Sequence, residues 1–462
     1  MRPDFPLISA STSFGFKKYF TLLIYISVTL LCQSSLLFGK THNVVTEYGA
    51  DPTGLKYSTV NIQTAINACT PGDTLLIPKG TFLIDNGLNL KSDLTVNLVK
   101  GALIQANTLH IWVKNRSHII NGENLKNVTI TGGGKIDGGG LVYPRGDYDR
   151  LRPGRGIRFF MSSNITVRNI QVYNIPNFAV DFVNSKNLTI DSLIIRGRGF
   201  FNLKGSSDGL DIEGCTNVDI SNCNIEVGDD GLCIKTSYEN RDFPCRNIRI
   251  KKCVLASTCN AFKIGTGTLA DVYDILAEDI IINKHSNPGV GNPVPTGDCI
   301  SAIAIESNDR HHVYNVICRN FTINSCYNPI YFALQNRKEN NPQGVMGKLS
   351  NIVLENINCI KSVSQPIIFN WQCDGANKIK DITLKNVVIH NFGTDAGANL
   401  SCMNGNYPDA NKNGIANSYG IWARGLDGLK LINCKFYDDG GSKREKFVFD
   451  ASVEHVETNA KR

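Results

Sequence analysis

The chain has 462 residues, 42% hydrophobic and 19% charged, a composition that builds a core and excludes a mainly disordered protein. The 48 basic and 41 acidic residues give a formal charge of +7 with no dense basic block, which argues against nucleic acid as a partner. After the first forty residues no apolar run approaches the ~20 needed to span a bilayer.

The N-terminus reads as a leader. Lys17 and Lys18 precede an apolar run, Tyr19 to Cys32, and then small polar Gln33, Ser34 and Ser35. A positive region, an apolar region and a cleavage zone predict a signal peptide over residues 1–39, with a retained anchor as the alternative. The mature chain is then secreted or extracytoplasmic, free of the membrane, and expected as a monomer. Removing Cys32 leaves 14 of the 15 cysteines, an even number that suggests some disulfides in an exported chain.

Next comes one helical segment. Ser58 and Thr59 are placed to cap Val60 to Cys69, with Ile62, Ala65 and Ile66 on one face. From there the chain repeats an irregular unit of Asn, an apolar residue, a polar residue, then Ile or Val. Copies start at Asn127, Asn164, Asn187, Asn217 and Asn247, with looser ones at Asn320, Asn351 and Asp381. Several intervals are 23 or 30 residues, and each unit alternates over only four or five residues. Short alternating strands at that period predict a solenoid. The units are too short for propeller blades and lack the helical period of helix-pair repeats. A single-stranded right-handed parallel β-helix, all-β with a short N-terminal capping helix, fits. It should run from residue 41 to 450, with a polar tail over 451–462.

Cys223, Cys253, Cys318, Cys359 and Cys434 recur in one phase of the repeat, which predicts a buried stack of mostly free thiols. The sequons at Asn127, Asn164, Asn187 and Asn320 coincide with the repeat and read as turn chemistry before glycosylation. Those at Asn115 and Asn399 do not.

The densest acid cluster is Ser207-Asp208-Gly209-Leu210-Asp211 followed by Gly228-Asp229-Asp230-Gly231. Asp208 and Asp229 are 21 residues apart, about one coil, so three carboxylates should meet on one surface. Flanking glycines suggest a bend that lets Asp229 and Asp230 both face outward. Mutual repulsion then raises at least one pKa, as a general acid beside a base requires. Calcium ligation and plain turns are the competing readings; calcium wants six to eight oxygens, more than three Asp supply. No metal or cofactor is expected.

With these motifs in view, the chain resembles glycoside hydrolase family 28, the polygalacturonase family. The resemblance runs from about Val44 to Phe436. Tyr48-Gly-Ala-Asp-Pro-Thr-Gly, Ile62-Gln-Thr-Ala-Ile and Ile77-Pro-Lys-Gly-Thr-Phe are similar to the family's N-terminal cap and first coil. Ser207-Asp208-Gly209 and Gly228-Asp229-Asp230 resemble its two acid motifs at matching spacing. The resemblance implies inverting hydrolysis of pectic polysaccharide, with Asp229 as general acid and Asp208 and Asp230 holding the attacking water.

Further along, the sequence departs from the family pattern. Anchored on Ile264-Gly265, the family's His position falls on Asn260, beside Lys263. Its Arg-Ile-Lys motif falls on Ala304-Ile305-Glu306. Asn336-Arg337 resembles a pattern in divergent members, so Arg337 can replace the lost cation. Asn260, Lys263, Glu306 and Arg337 are therefore the expected substrate-binding residues, with a Lys263–Glu306 ion pair as the bland alternative. A Glu facing a substrate carboxylate would repel it, which points to rhamnogalacturonan-type or substituted pectin over plain polygalacturonan. A calcium-dependent pectate-type lyase and a non-catalytic sugar-binding solenoid remain as alternatives. His285, His311 and His312 read as surface residues, and Tyr331 and Trp371 as half-buried strand residues or sugar platforms.

Overall fold

The structure is a computed structural model that describes residues 39–107, 117–140, 154–197, 207–237, 243–287, 294, 296–337, 344–373 and 376–459. The expected leader, Cys32 and the Asn115 sequon lie outside the described residues, apart from Gly39. No helix among the described residues is long and apolar enough to cross a membrane.

Every paired strand runs parallel to its partner one coil on, and the chain winds into the expected right-handed parallel β-helix. One sheet has 12 strands, one per coil, from Leu88–Asn89 to Glu445–Phe449. The other has 23 strands and carries the remaining sides of each coil. Alternation decides what each strand buries. In the smaller sheet Phe159, Phe182, Ile212, Ile234, Ile264 and Ile305 point inward and stack in register from coil to coil.

The repeated Asn is a corner residue. Asn127, Asn164, Asn187, Asn217 and Asn247 have φ between 52° and 58°, a left-handed conformation that Asn tolerates better than most residues. The side-chain amide of Asn127 donates to the Asp93 carboxylate (2.7 Å), and those of the last four each donate to the side-chain carbonyl of the Asn one coil back, at 2.9, 2.9, 3.0 and 2.9 Å. Asn320 belongs to a second ladder with Asp279, Asn356 and Asn386. The four sequons on the repeat thus use their amides within the turns.

Cys223, Cys253, Cys318, Cys359 and Cys434 are buried and free as expected, but they do not form one stack. Only Cys223 and Cys253 adjoin from coil to coil, whereas Cys318 lies between Ala277 and Leu354 and Cys359 between Ile323 and Ile389, because the repeat shifts phase along the chain. Among the described residues one disulfide forms, Cys373–Cys402. The helix spans Thr59–Ala68 and buries Ile62, Ala65 and Ile66. Ser58 does not cap it, because its hydroxyl accepts from the Asp51 N–H (2.9 Å) and donates to the Asp51 carbonyl (3.2 Å). The polar end of the chain also differs from a simple tail. Glu454–Thr458 forms a last strand paired with Leu426–Ile432. It is polar because an edge strand shows one face to water.

Candidate active site

The acid cluster sits where the chain enters two neighbouring strands of the smaller sheet. Leu210 pairs with Leu232, so the turns holding Asp208 and Asp230 stack one coil apart, ~4.8 Å in the strand-pairing direction. The coils pack so closely here that side chains are excluded between them. A Cβ on Gly209 would lie 2.4 Å from the Gly231 carbonyl oxygen, and one on Gly231 2.5 Å from that of Ala261. Ser257 and Thr258 on the next coil donate to the carbonyls of Asp229 and Gly228 (2.5 Å each), and the Asp230 N–H donates to the Asp229 carboxylate (3.0 Å). This bend leaves Asp229 half-buried at the cleft, while Asp208 and Asp230 sit deeper.

Two buried lysines divide the acids. Lys263 Nζ lies 3.0 Å from Asp230 Oδ2, and the Asn260 amide donates to Asp230 Oδ1 at 2.8 Å. Lys235 Nζ lies 3.1 Å from Asp208 Oδ2, 2.5 Å from Asp211 Oδ1 and 3.8 Å from Glu213. The consequences for protonation differ. Burial pushes the Asp229 carboxyl well above the ordinary carboxylate range, and repulsion from Asp208 and Asp230 adds to it. Burial acts on Asp230 too, but the Lys263 ammonium and the Asn260 amide outweigh it and hold that acid below its ordinary value. Burial raises Asp208 against the opposing charge of Lys235. An acid that holds its proton more tightly than usual thus stands beside one that releases it more readily than usual.

The cleft has a volume of about 310 Å³ and is lined by all three acids, Lys235, Phe178, Arg337 and Tyr407, with the Gly265–Gly267 backbone. Of the expected substrate-binding residues, Arg337 lines it. Its guanidinium pairs with Asp309 through two hydrogen bonds of 3.0 and 2.9 Å. Asn260 and Lys263 are buried beneath the acids. Glu306 is 0% exposed, accepts from the Asn308 amide (3.0 Å) and is not on the cleft wall. Lys263 makes its ion pair with Asp230, not Glu306. Burial pushes Glu306 up to about 7 despite the nearby Lys263.

Other expectations are corrected. His285 is buried, 3.7 Å from Glu226, whereas His311 and His312 are half-buried beside Asp271 and Ser350. Tyr331 and Trp371 are buried and offer no platform. Sequence reasoning missed Lys235, Glu213 and Tyr407. Lys235 carries a signal: it follows Cys233 by two in a strand of outward–inward alternation, the phase of Asp211 and Glu213. Tyr407 carries none. Its hydroxyl reaches Lys263 (3.3 Å) and Thr266 (3.0 Å) from a segment 144 residues further on.

The acids and lysines leave little room for calcium. The ligand atoms of Asp229, Asp230 and Cys259 lie within 4.8 Å of one another. However, ammonium groups already bond Asp208 Oδ2 and Asp230 Oδ2, an amide holds Asp230 Oδ1, and a thiol is a poor calcium ligand.

Fold and site together define a parallel β-helix with an acid cluster in a polar cleft on one outward face. The chain belongs to the glycosyl hydrolases family 28, whose family model matches residues 69–406. Polygalacturonase QRT2 of Arabidopsis thaliana is 24% identical over 302 residues, 63% of this chain and 64% of that protein. An endo-polygalacturonase of Pectobacterium carotovorum is 26% identical over 260 residues, 50% of this chain and 63% of that protein. The chain therefore spans less than two thirds of the length of either relative. A family 28 exopolygalacturonase structure from Yersinia enterocolitica superposes with a TM-score of 0.66 at 17% identity, covering 90% of this chain and 78% of that one.

Proposed function

We propose that this protein is an exported glycosidase that hydrolyses pectic polysaccharide with inversion at the anomeric carbon. The observation that carries the reading is that two adjacent acids on one cleft are held differently: Lys263 Nζ and the Asn260 amide bond Asp230 at 3.0 and 2.8 Å, whereas no ion pair among the described residues reaches Asp229. Asp229 donates its proton to the glycosidic oxygen as the C–O bond breaks. Asp230 and Asp208 orient a water on the opposite face and accept its proton as its oxygen bonds to the anomeric carbon. Lys263 and Asn260 act through Asp230, keeping it ionised.

The substrate reading shifts its ground. Glu306 is buried, so it does not repel a substrate carboxylate. Instead, the lining holds three acids against Lys235 and Arg337, and both cations are already paired with acids of the protein. A polymer with a carboxylate on every sugar finds little uncommitted positive charge here. This favours a backbone with a neutral sugar at the cleavage site, as in rhamnogalacturonan-type or substituted pectin.

Replacing Asp229 by Asn keeps the shape and removes the transferable proton. The expected result is a fall in turnover of at least ~100-fold with folding unchanged. Reducing-sugar release from polygalacturonan, rhamnogalacturonan and branched pectins tests both statements, and NMR of the first product anomer tests inversion. Wild-type turnover by folded Asp229→Asn overturns the assignment of the acid. Retained configuration overturns the mechanism.

A further inference from the structure

The outward face of the 12-stranded sheet changes character along the solenoid axis. The register aligns one outward column from coil to coil: Arg158, Asp181, Asp211, Cys233, Lys263, then Ala304, Tyr331, Ile368 and Trp422. Up to Lys263 the column is largely charged, and from Ala304 on it is apolar or aromatic. An apolar outer face needs a cover, and one is present.

The segment 392–417, between the strands Ile379–Asn391 and Ser418–Ala423, folds back over these coils. Its Leu400, Met403, Ala410 and Ala416 pack with Tyr331, Ile368 and Trp422 in a second apolar cluster, separate from the main core. Trp422 is 0% exposed beneath it. The cover is fastened at several points. The Cys373–Cys402 disulfide ties it to the end of the preceding strand Ile367–Trp371, and Gln335 bonds the Asn406 carbonyl (2.6 Å) and the Gly405 N–H (3.1 Å). Its leading residue, Tyr407, is 44% exposed and stands in the cleft with its hydroxyl on Lys263 and Thr266.

The other end of the same face is polar. Asn89, Asn121, Glu123 and Arg158 line a depression of about 290 Å³ on the first strands of the sheet. A linear chain lying along the sheet face thus finds sugar-compatible polar groups on the N-terminal side of the acids. On the C-terminal side it meets Tyr407 and a packed cover.

We propose that the cleft is blind: segment 392–417 stops the chain just past the three acids, so the protein acts on chain ends and releases short products. This rests on the glycosidase reading given above. The terminal sugar sits against Tyr407 and Arg337, and the rest of the polymer leaves along the polar coils. Length of product is then set by the space between Asp229 and Tyr407, not by chance encounter along the polymer.

Product sizing in the first minutes of digestion tests this. A single short product with little fall in viscosity is expected. A ladder of intermediate sizes with a rapid fall in viscosity overturns the proposal. The double variant Cys373→Ser/Cys402→Ser combined with Tyr407→Ala loosens the stop, and intermediate sizes are expected to appear.

A second measurement needs no catalysis. Folded Asp229→Asn protein is titrated with one pectic polymer partially hydrolysed to several mean lengths, at equal sugar mass. Bound protein rising in proportion to the number of chain ends supports a blind cleft. Binding set by sugar mass, or no binding to any length, overturns it. End-dependent binding without cleavage by the wild type overturns the glycosidase reading and leaves the blind cleft standing.

Discussion

The two halves of one sheet face use the same backbone for opposite ends. In coils ending near Lys263, outward positions hold charges that are buried yet matched: Lys235 against Asp208, Asp211 and Glu213, and Lys263 against Asp230. In the coils from Ala304 to Trp422, the outward column of Ala304, Tyr331, Ile368 and Trp422 is apolar, and its large side chains lie under a cover. The inner face is apolar in both halves. The solenoid core therefore places no constraint on what stands outside it, and the outer face is free to build chemistry on one side and a stop on the other.

The contrast is broken most severely at Lys263. Lys263→Met leaves Asp230 buried without its cation, at a cost of about 3–5 kcal/mol of stability. It also removes a charge that lowers Asp230. The acid limb of the pH–rate profile should move to higher pH, since protonation of Asp230 then occurs sooner as pH falls. Chemical denaturation and a pH series on the folded fraction read the two effects; an unmoved acid limb argues against Asp230 as a base.

Trp422→Ala probes the other half. Truncating a fully buried Trp costs about 3–5 kcal/mol. The loss belongs to the cover, so bond cleavage itself should persist while product size broadens. Equal loss of catalysis and stability would show that the two halves are not separable.

Glu306→Gln is smaller and depends on pH. The folded-state value is raised to about 7 by burial. Stability linked to Glu306 is therefore full below its unfolded value and falls as pH rises from about 4.5 to 7. Over that window the loss is on the order of 3 kcal/mol for this group. Gln keeps an acceptor for Asn308, so the variant should have a flatter melting-temperature profile between pH 4.5 and 7. An unchanged slope overturns the reading of Glu306.

The smallest effect is expected in the Asn ladder. Asn217→Ala removes the bonds to Asn187 and Asn247 and puts Ala at φ 58°. The expected cost is about 1–2 kcal/mol, with activity unaltered.

How much of this was legible beforehand follows from the range of each interaction. The Asn corners, the inward Ile and Phe and the spacing of Asp208 from Asp229 are all one-coil facts. Most coils advance the register by 22 to 41 residues, so period and alternation in the sequence expose them directly. The capping hydroxyl of Ser58 was misread because Asp51 competes for it, a contact no local pattern announces. Glu306 was placed against substrate because its motif position suggested it, yet burial beside Asn308 takes it off the wall.

Sequence alone determined the solenoid and the meeting of three acids, since each needs only the repeat and its register. The tertiary structure decided which acid holds its proton more tightly, because that depends on Lys263 and Asn260 one coil on and on the depth of burial. It also decided where the cleft ends. Tyr407 reaches Lys263 across 144 residues of chain, and no periodicity connects them. The fold alone brings that segment over Trp422, because an apolar outer face in water must be covered.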